Sequence, residues 1–176
     1  LHKFLRTPSS YGKLPYWRLE CHYLHTISFL HNLGLLPVKA KEKRVPHVMY
    51  RATKKVMQSF LKRYFEGDGS ISYSGHMVEL SCCSMSSTLI EELQTILLRF
   101  GIDATRRFDK YRLTHKLYLR GRRNALRFYK QIGFFSERKS KKLEYVLLHF
   151  TKFMPRLDYV PFISDYIRTK TGYSTY

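Results

Sequence analysis

FLKRYFEGDGSISYS, residues 60–74, runs from a helix-like apolar pattern through an acid held between two glycines into an alternating strand. Ahead of it, Val56, Met57, Phe60, Leu61, Tyr64 and Phe65 recur at helical spacing, with Thr53 placed as an N-cap. Beyond Gly69, Ile71 and Tyr73 alternate with Ser70, Ser72 and Ser74, and a second alternating run follows from Met77. Two readings of Gly67-Asp68-Gly69 are open. It is a turn, built from the residues turns prefer. Or the Asp68 carboxylate and the Gly67 carbonyl offer hard oxygen ligands to Mg²⁺, a metal that keeps several waters and shares its shell with phosphate.

The surrounding pattern predicts an α+β fold. Ser86 to Phe100 carries a second helical stripe, with Thr88 and Glu91 spaced as a capping box and Gly101 as its stop. Strands are expected at 103–108 and 111–120. In the latter, Arg112, Thr114, Lys116, Tyr118 and Arg120 share one face, while Leu113, His115, Leu117 and Leu119 share the other. Helices follow at 122–132, stopped by Gly133, and at about 140–150. The order from residue 54 is helix, strand, strand, helix, strand, strand, helix, helix. The first 46 residues repeat its ending faintly: a strand-like 16–22, a helical 24–34, and LGLLPVKAKEKRVP (33–46), which mirrors IGFFSERKSKKLE (132–144). The division expected is therefore 1–46 as the tail of a partial first repeat with a linker, 47–150 as a complete repeat, and 151–176 as a C-terminal tail.

With 32 Lys and Arg against 13 Asp and Glu, the formal charge is +19. Such a surplus on a chain that is 44% hydrophobic points to a folded protein with a polyanionic partner and away from a low-complexity basic tail. Three cysteines, two of them adjacent, do not make a disulfide framework, which implies an intracellular compartment. The eight histidines show no zinc spacing with them. No apolar run is long enough to span a membrane. Leu1 in place of an initiator Met suggests that a segment once preceded it.

The basic face of the fourth strand can aim alternate side chains at base edges, or it is a solvated face whose charges blunt a sheet edge. Arg138, Lys139, Lys141 and Lys142 cluster ahead of the last helix, where a lysine could stabilise charge on a phosphate or simply contact one. The tyrosines and phenylalanines fall mostly on stripe positions and read as core.

Element order, the Gly-Asp-Gly-ended helix, RVPHVM ahead of it and IGFFSERKSKKLE behind it resemble the LAGLIDADG homing endonucleases, particularly the type found inside inteins. The nine-residue motif falls on Leu61 to Gly69. This resemblance implies a repeat of the form αββαββα, its saddle-shaped antiparallel sheet lying along double-stranded DNA. It also implies a paired motif helix and Mg²⁺-dependent hydrolysis of both strands across the minor groove, leaving short 3′ overhangs. Asp68 would be the metal-binding and catalytic acid, with Gly67 beside it. Lys139 would be the catalytic basic residue, with Lys141 or Lys142 as alternatives. Ser70, Ser72, Ser74 and His76 would face DNA, joined by Arg106 or Arg107, by Arg112, Thr114, Lys116, Tyr118 and Arg120, and by Lys141 and Lys142.

Two features depart from the family. The third motif position, usually small, is Arg63, and residues 1–46 hold no second Gly-Asp-Gly helix. The second acid must then come from a partner: a preceding segment, an identical subunit or another LAGLIDADG-containing chain. Neither end shows the groups that protein splicing uses. The rival expectation is a non-catalytic nucleic-acid binder on the same fold, a transcription regulator or an intron RNA maturase.

Overall fold

The structure, a computed structural model, describes residues 2–6, 16–20, 22–74, 77–149 and 169–170. Most of the expected C-terminal tail, and His76, lie outside the described residues. Near the start, β1 (His2–Arg6) pairs antiparallel with β2 (Tyr16–Glu20), and α1 (Leu24–Asn32) follows. A single 3-10 turn at His47–Tyr50 leads into α2 (Lys54–Asp68). Next come β3 (Gly69–Ser74), β4 (Met77–Ser84), α3 (Ser87–Leu98), β5 (Thr105–Asp109), β6 (Thr114–Arg120), α4 (Arg122–Gln131) and α5 (Glu137–His149). From α2 onward this is the expected order, an α+β arrangement.

The four later strands form one antiparallel sheet in the order β3-β4-β6-β5. Helices cover one of its faces. Met57, Leu61 and Phe65, each four residues after the last, form the buried stripe of α2, while Val56 at the stripe's edge stays exposed. They pack with Leu80, Leu117 and Leu119 of the sheet, Leu93, Ile96 and Leu97 of α3, Phe128 of α4 and Leu143 of α5. Side chains of this size stabilise by about 1.5–3 kcal/mol each when fully buried, so this one cluster dominates the folding energy. Among the described residues no helix is long and apolar enough to cross a membrane.

Three of the boundaries that differ from the sequence expectation do so for a local reason. The α3 cap is Ser86, whose Oγ accepts the Leu89 N–H at 3.1 Å; Thr88 lies inside the helix. Strand β6 begins at Thr114, three residues later than alternation suggested. The Asp109 carboxylate accepts the N–H groups of Tyr111 and Arg112, both at 3.1 Å, closing a turn in which Leu113 has φ +50° and is exposed. Helix α5 starts at Glu137, ahead of its apolar stripe, because an acid from α2 satisfies the N–H groups just before it.

Residues 43–45 are fastened to α3. Buried Glu92 accepts Arg44 Nε and Nη2 at 2.9 and 2.6 Å and the Val45 N–H at 2.8 Å, and Ser86 Oγ donates to the Lys43 carbonyl at 2.6 Å.

Candidate active site and nucleic-acid face

Asp68 is the last residue of α2 and its carboxylate is exposed where the helix gives way to β3. Carbonyls left over at a helix C-terminus carry partial negative charge, which suits a cation. Gly69 is required by this junction, because a Cβ there would lie 2.3 Å from the Phe65 carbonyl oxygen. Gly67 is different: a Cβ on it would meet nothing within 4 Å. The small residue before Asp68 therefore leaves open space on the outer side of α2.

Lys139 and Glu66 lock this helix end to α5 by an exchange of caps. The Lys139 ammonium donates to the carbonyls of Phe65 at 3.1 Å, Glu66 at 2.5 Å and Gly69 at 2.7 Å. In return, the Glu66 carboxylate accepts the N–H groups of Phe135 at 2.8 Å and Ser136 at 3.0 Å. Chiefly the Ser136 N–H, with that of Phe135 and the Lys139 charge, holds the Glu66 carboxyl down to about 2. Lys142 donates to the Ile71 carbonyl at 2.7 Å, whereas Lys141 pairs with Glu137 at 2.6 Å on the surface. Of the three lysines, Lys139 alone is bonded to the carbonyls around Asp68. Its three bonds do not include the Gly67 carbonyl.

Four residues before Asp68 on α2, Tyr64 has a buried hydroxyl without a hydrogen-bond partner among the described residues. Burial pushes the Tyr64 phenol and the Cys82 thiol up, and the Asp68 charge adds to both shifts, so the carboxylate stands within electrostatic reach of each. Arg63 places its guanidinium carbon 3.6 Å from the centre of the Phe135 ring. The long side chain thus turns toward the α5 side of α2.

Among the described residues no group of three or more His, Cys, Asp and Glu could hold a metal. Asp68 and the Gly67 carbonyl fit a hard cation that draws most of its shell from water, phosphate and a second acid.

The sheet face that no described helix covers follows from register. Ser70, Ser81, Tyr118 and Thr105 stand side by side across it, as do Cys83, Lys116 and Arg107. Ser70 and Ser81 hydroxyls are 2.9 Å apart, and Ser72 lies opposite Glu79. Ser74 continues the register opposite Met77. Arg107 belongs to this face. Arg106 pairs with Leu117 on the helix-covered side and reaches Glu91 of α3 at 3.3 Å. Arg112 sits in the turn before β6, exposed.

Two acids on this face were not singled out in the sequence. Glu79 accepts Arg120 at 2.6 Å, and Asp109 accepts Lys116 at 2.8 Å. The Lys116 bond is the main cause holding Asp109 below the usual carboxylate range, and Asp109 in turn raises Lys116. Arg120 also lies over the Tyr118 ring, 4.5 Å from its centre. Alternation along β4 marked Glu79 as outward, but its partner depends on the β4–β6 register. The hydroxyl oxygens of Thr105 and Thr114 are buried without hydrogen-bond partners among the described residues.

Residues 55–133 match the LAGLIDADG-like domain, a span that runs from the start of α2 to the end of α4. This segment is a LAGLIDADG-like domain. The domain thus includes the Asp68 junction and the whole four-stranded sheet, while Lys139 falls just beyond the matched span. Similar relatives include a probable translation initiation factor IF-2 of Thermococcus kodakarensis, 37% identical over 106 residues, which are 60% of this chain and 9% of the relative. A DNA gyrase polypeptide of Mycolicibacterium flavescens is 30% identical over 161 residues, 88% of this chain and 28% of the relative. A replication factor C small subunit of Methanocaldococcus jannaschii is 36% identical over 121 residues, 66% of this chain and 6% of the relative. The aligned part of this chain spans 9%, 28% and 6% of these three relatives.

Proposed function

We propose that this chain is one half of a site-specific, Mg²⁺-dependent DNA endonuclease of the homing type. Its LAGLIDADG-like domain supplies Asp68, and a partner unit supplies the second acid. The observation that carries this reading is the junction itself. An exposed carboxylate stands at a helix end that Lys139 and Glu66 fix in place, beside the open face of an antiparallel sheet. A short unit shared by proteins of unrelated names also supports an inserted, mobile element of the intein type.

Bound at Asp68, Mg²⁺ would acidify water and stabilise the leaving oxygen of a phosphodiester. The chain's own residues have other tasks. Asp68 holds the cation, Lys139 is a positioning residue acting through the carbonyls of the helix end, and Ser70, Ser72, Arg107, Lys116 and Arg120 face the duplex. Serines and basic side chains on alternate strand positions suit mixed contacts to base edges and phosphates.

The test is nicking and cutting of a randomised plasmid library with Mg²⁺ against a chelator, beside gel-shift binding. Asp68→Asn should abolish Mg²⁺-dependent cleavage and leave specific affinity within about threefold, since removing one carboxylate creates no new repulsion toward DNA. Retained cleavage, or loss of binding as well, refutes the role given to Asp68.

One observation favours a second reading, a non-catalytic nucleic-acid binder. All three Lys139 donors are already engaged by backbone carbonyls, so its ammonium is not free to meet a reacting phosphate. Specific binding with no Mg²⁺-dependent nicking by the wild-type chain, with or without its partner, would select that reading.

A further inference from the structure

The turn between β5 and β6, residues 110–113, holds apolar side chains out to solvent. The sequence pattern read the tyrosines mostly as core, yet Tyr111 is 101% exposed, with Leu113 at 60% and Phe108 at 50% close by in the chain. Leu113 also has φ +50°, a left-handed conformation that leucine rarely adopts and glycine takes without strain. An exposed leucine in a strained position does little for the chain's own core. Strain and exposed apolar side chains gathered in one turn point to a contact made there.

The turn is fixed before anything binds. The Asp109 carboxylate accepts the N–H groups of Tyr111 and Arg112, both at 3.1 Å, and the Lys116 ammonium at 2.8 Å. At the base of the turn, Phe108 and His115 are register partners across the strands, and their ring centres are 4.8 Å apart. Tyr111 is therefore presented on a preformed support, which lowers the entropy lost when its ring meets a partner.

The charges around the ring choose that partner. Lys110 and Arg112 flank Tyr111 and are exposed, while the acid of the turn, Asp109, is already engaged by Lys116 and two backbone N–H groups. The same strand pair carries Arg107 and Lys116 on the open face, so the turn continues that basic surface past its end. An aromatic ring between two cations matches a nucleic acid, with bases for the ring and phosphates for the cations. An apolar side chain pushed into a duplex unstacks one base step, at a cost that is least where the step is flexible or mismatched.

We propose that the β5–β6 turn inserts the Tyr111 ring into a base step at the edge of the bound duplex, with Lys110 and Arg112 on the phosphates of that step. Tyr111 is then a specificity-determining residue that selects a deformable step by stacking, without reading a base edge. The proposal rests on the reading of the open face as a DNA-binding surface and not on catalysis at Asp68, so a chain that binds without cutting leaves it standing.

The experiment binds the full chain to duplexes that it recovers from the randomised library and walks a single mismatch through both flanks. Tyr111→Ala should weaken binding about tenfold with the salt slope unchanged, and Tyr111→Phe should stay within about twofold of the wild type. Arg112→Ala should reduce the salt slope by about one. At one flank position the mismatch should raise wild-type affinity at least about fivefold and leave Tyr111→Ala unaffected, because an open step removes the unstacking cost that only the ring meets. The fully exposed position makes Tyr111→Ala safe for folding, and a thermal melt equal to that of the wild type checks it. The proposal alone is overturned if Arg107→Ala weakens binding while Tyr111→Ala binds as the wild type does, if Tyr111→Ala loses only binding to anionic-lipid vesicles, or if no mismatch separates the two proteins. A wild-type chain that binds no duplex overturns both the proposal and the reading of the open face beneath it.

Discussion

Glu66→Gln isolates the lock between the two ends of α2 and α5. In the native protein the Glu66 carboxylate accepts two N–H groups at the start of α5 and is held down to about 2, against an ordinary glutamate value of about 4.3. In a site closed to solvent that displacement would correspond to about 3 kcal/mol. Glu66 is only half-buried, so screening reduces the expected contribution to about 1–1.5 kcal/mol. A carboxyl whose folded value is depressed stabilises fully above its unfolded value. That stability fades as pH falls from about 4.3 toward 2, because the unfolded chain binds the proton first. Glutamine keeps the shape and one acceptor but has no proton to bind. Urea unfolding of both proteins should therefore differ by about 1 kcal/mol at neutral pH, or about 0.5 M in midpoint at a slope of about 2 kcal/mol per M. The gap should narrow to near zero as pH falls toward about 2. A difference that stays constant from pH 7 to 3 would show that the charge contributes nothing, and the lock would reduce to ordinary hydrogen bonds.

The two motif glycines should behave differently. Gly69→Ala forces a Cβ to within 2.3 Å of a backbone oxygen and should lower stability by about 1–3 kcal/mol in a thermal melt. Gly67→Ala, with open space around it, should be neutral or stabilising by up to about 1 kcal/mol; equal losses would contradict the geometry of the junction. For the sheet face, Arg107→Ala and Lys116→Ala should each weaken DNA binding and reduce the slope of log affinity against log salt by about one if the side chain meets a phosphate. Arg106→Ala, on the helix side with Glu91, should leave that slope unchanged, and an effect at Arg106 without one at Arg107 would reverse the face assignment.

Helix α2 was legible because Met57, Leu61 and Phe65 keep one helical period through to a glycine. The start of β6 was not. Alternation from Tyr111 to Leu113 has strand period, but the Asp109 carboxylate takes the neighbouring N–H groups and spends those residues on a turn. The choice between Arg106 and Arg107 was also out of reach. Adjacent residues on a strand point to opposite faces, and only pairing with β6 decides which is which. The Glu66–Lys139 exchange joins residues 73 apart, counting from the Lys139 bond to the Glu66 carbonyl, so no local signal announces it. The motif names Glu66 as a position without revealing that its partner is the start of α5.

The charge on the open face qualifies how the protein would bind a polyanion. A surplus of +19 suggests a strongly basic surface, yet on this face Arg107, Lys116 and Arg120 stand against Glu79 and Asp109. Both acids are bonded to cations. If the face lies on DNA, the acids serve geometry: each holds a long side chain in one orientation, which lowers the entropy lost when that side chain meets a base edge. They also weaken indiscriminate attraction, since a phosphate approaching Lys116 or Arg120 must compete with a carboxylate already there. Sequence-independent affinity would then come from cations off the paired centre, such as exposed Lys110 and Arg112 in the turn before β6. Discrimination would come from the paired centre. Such a division favours a protein that must find one site among many over one that holds any duplex it meets.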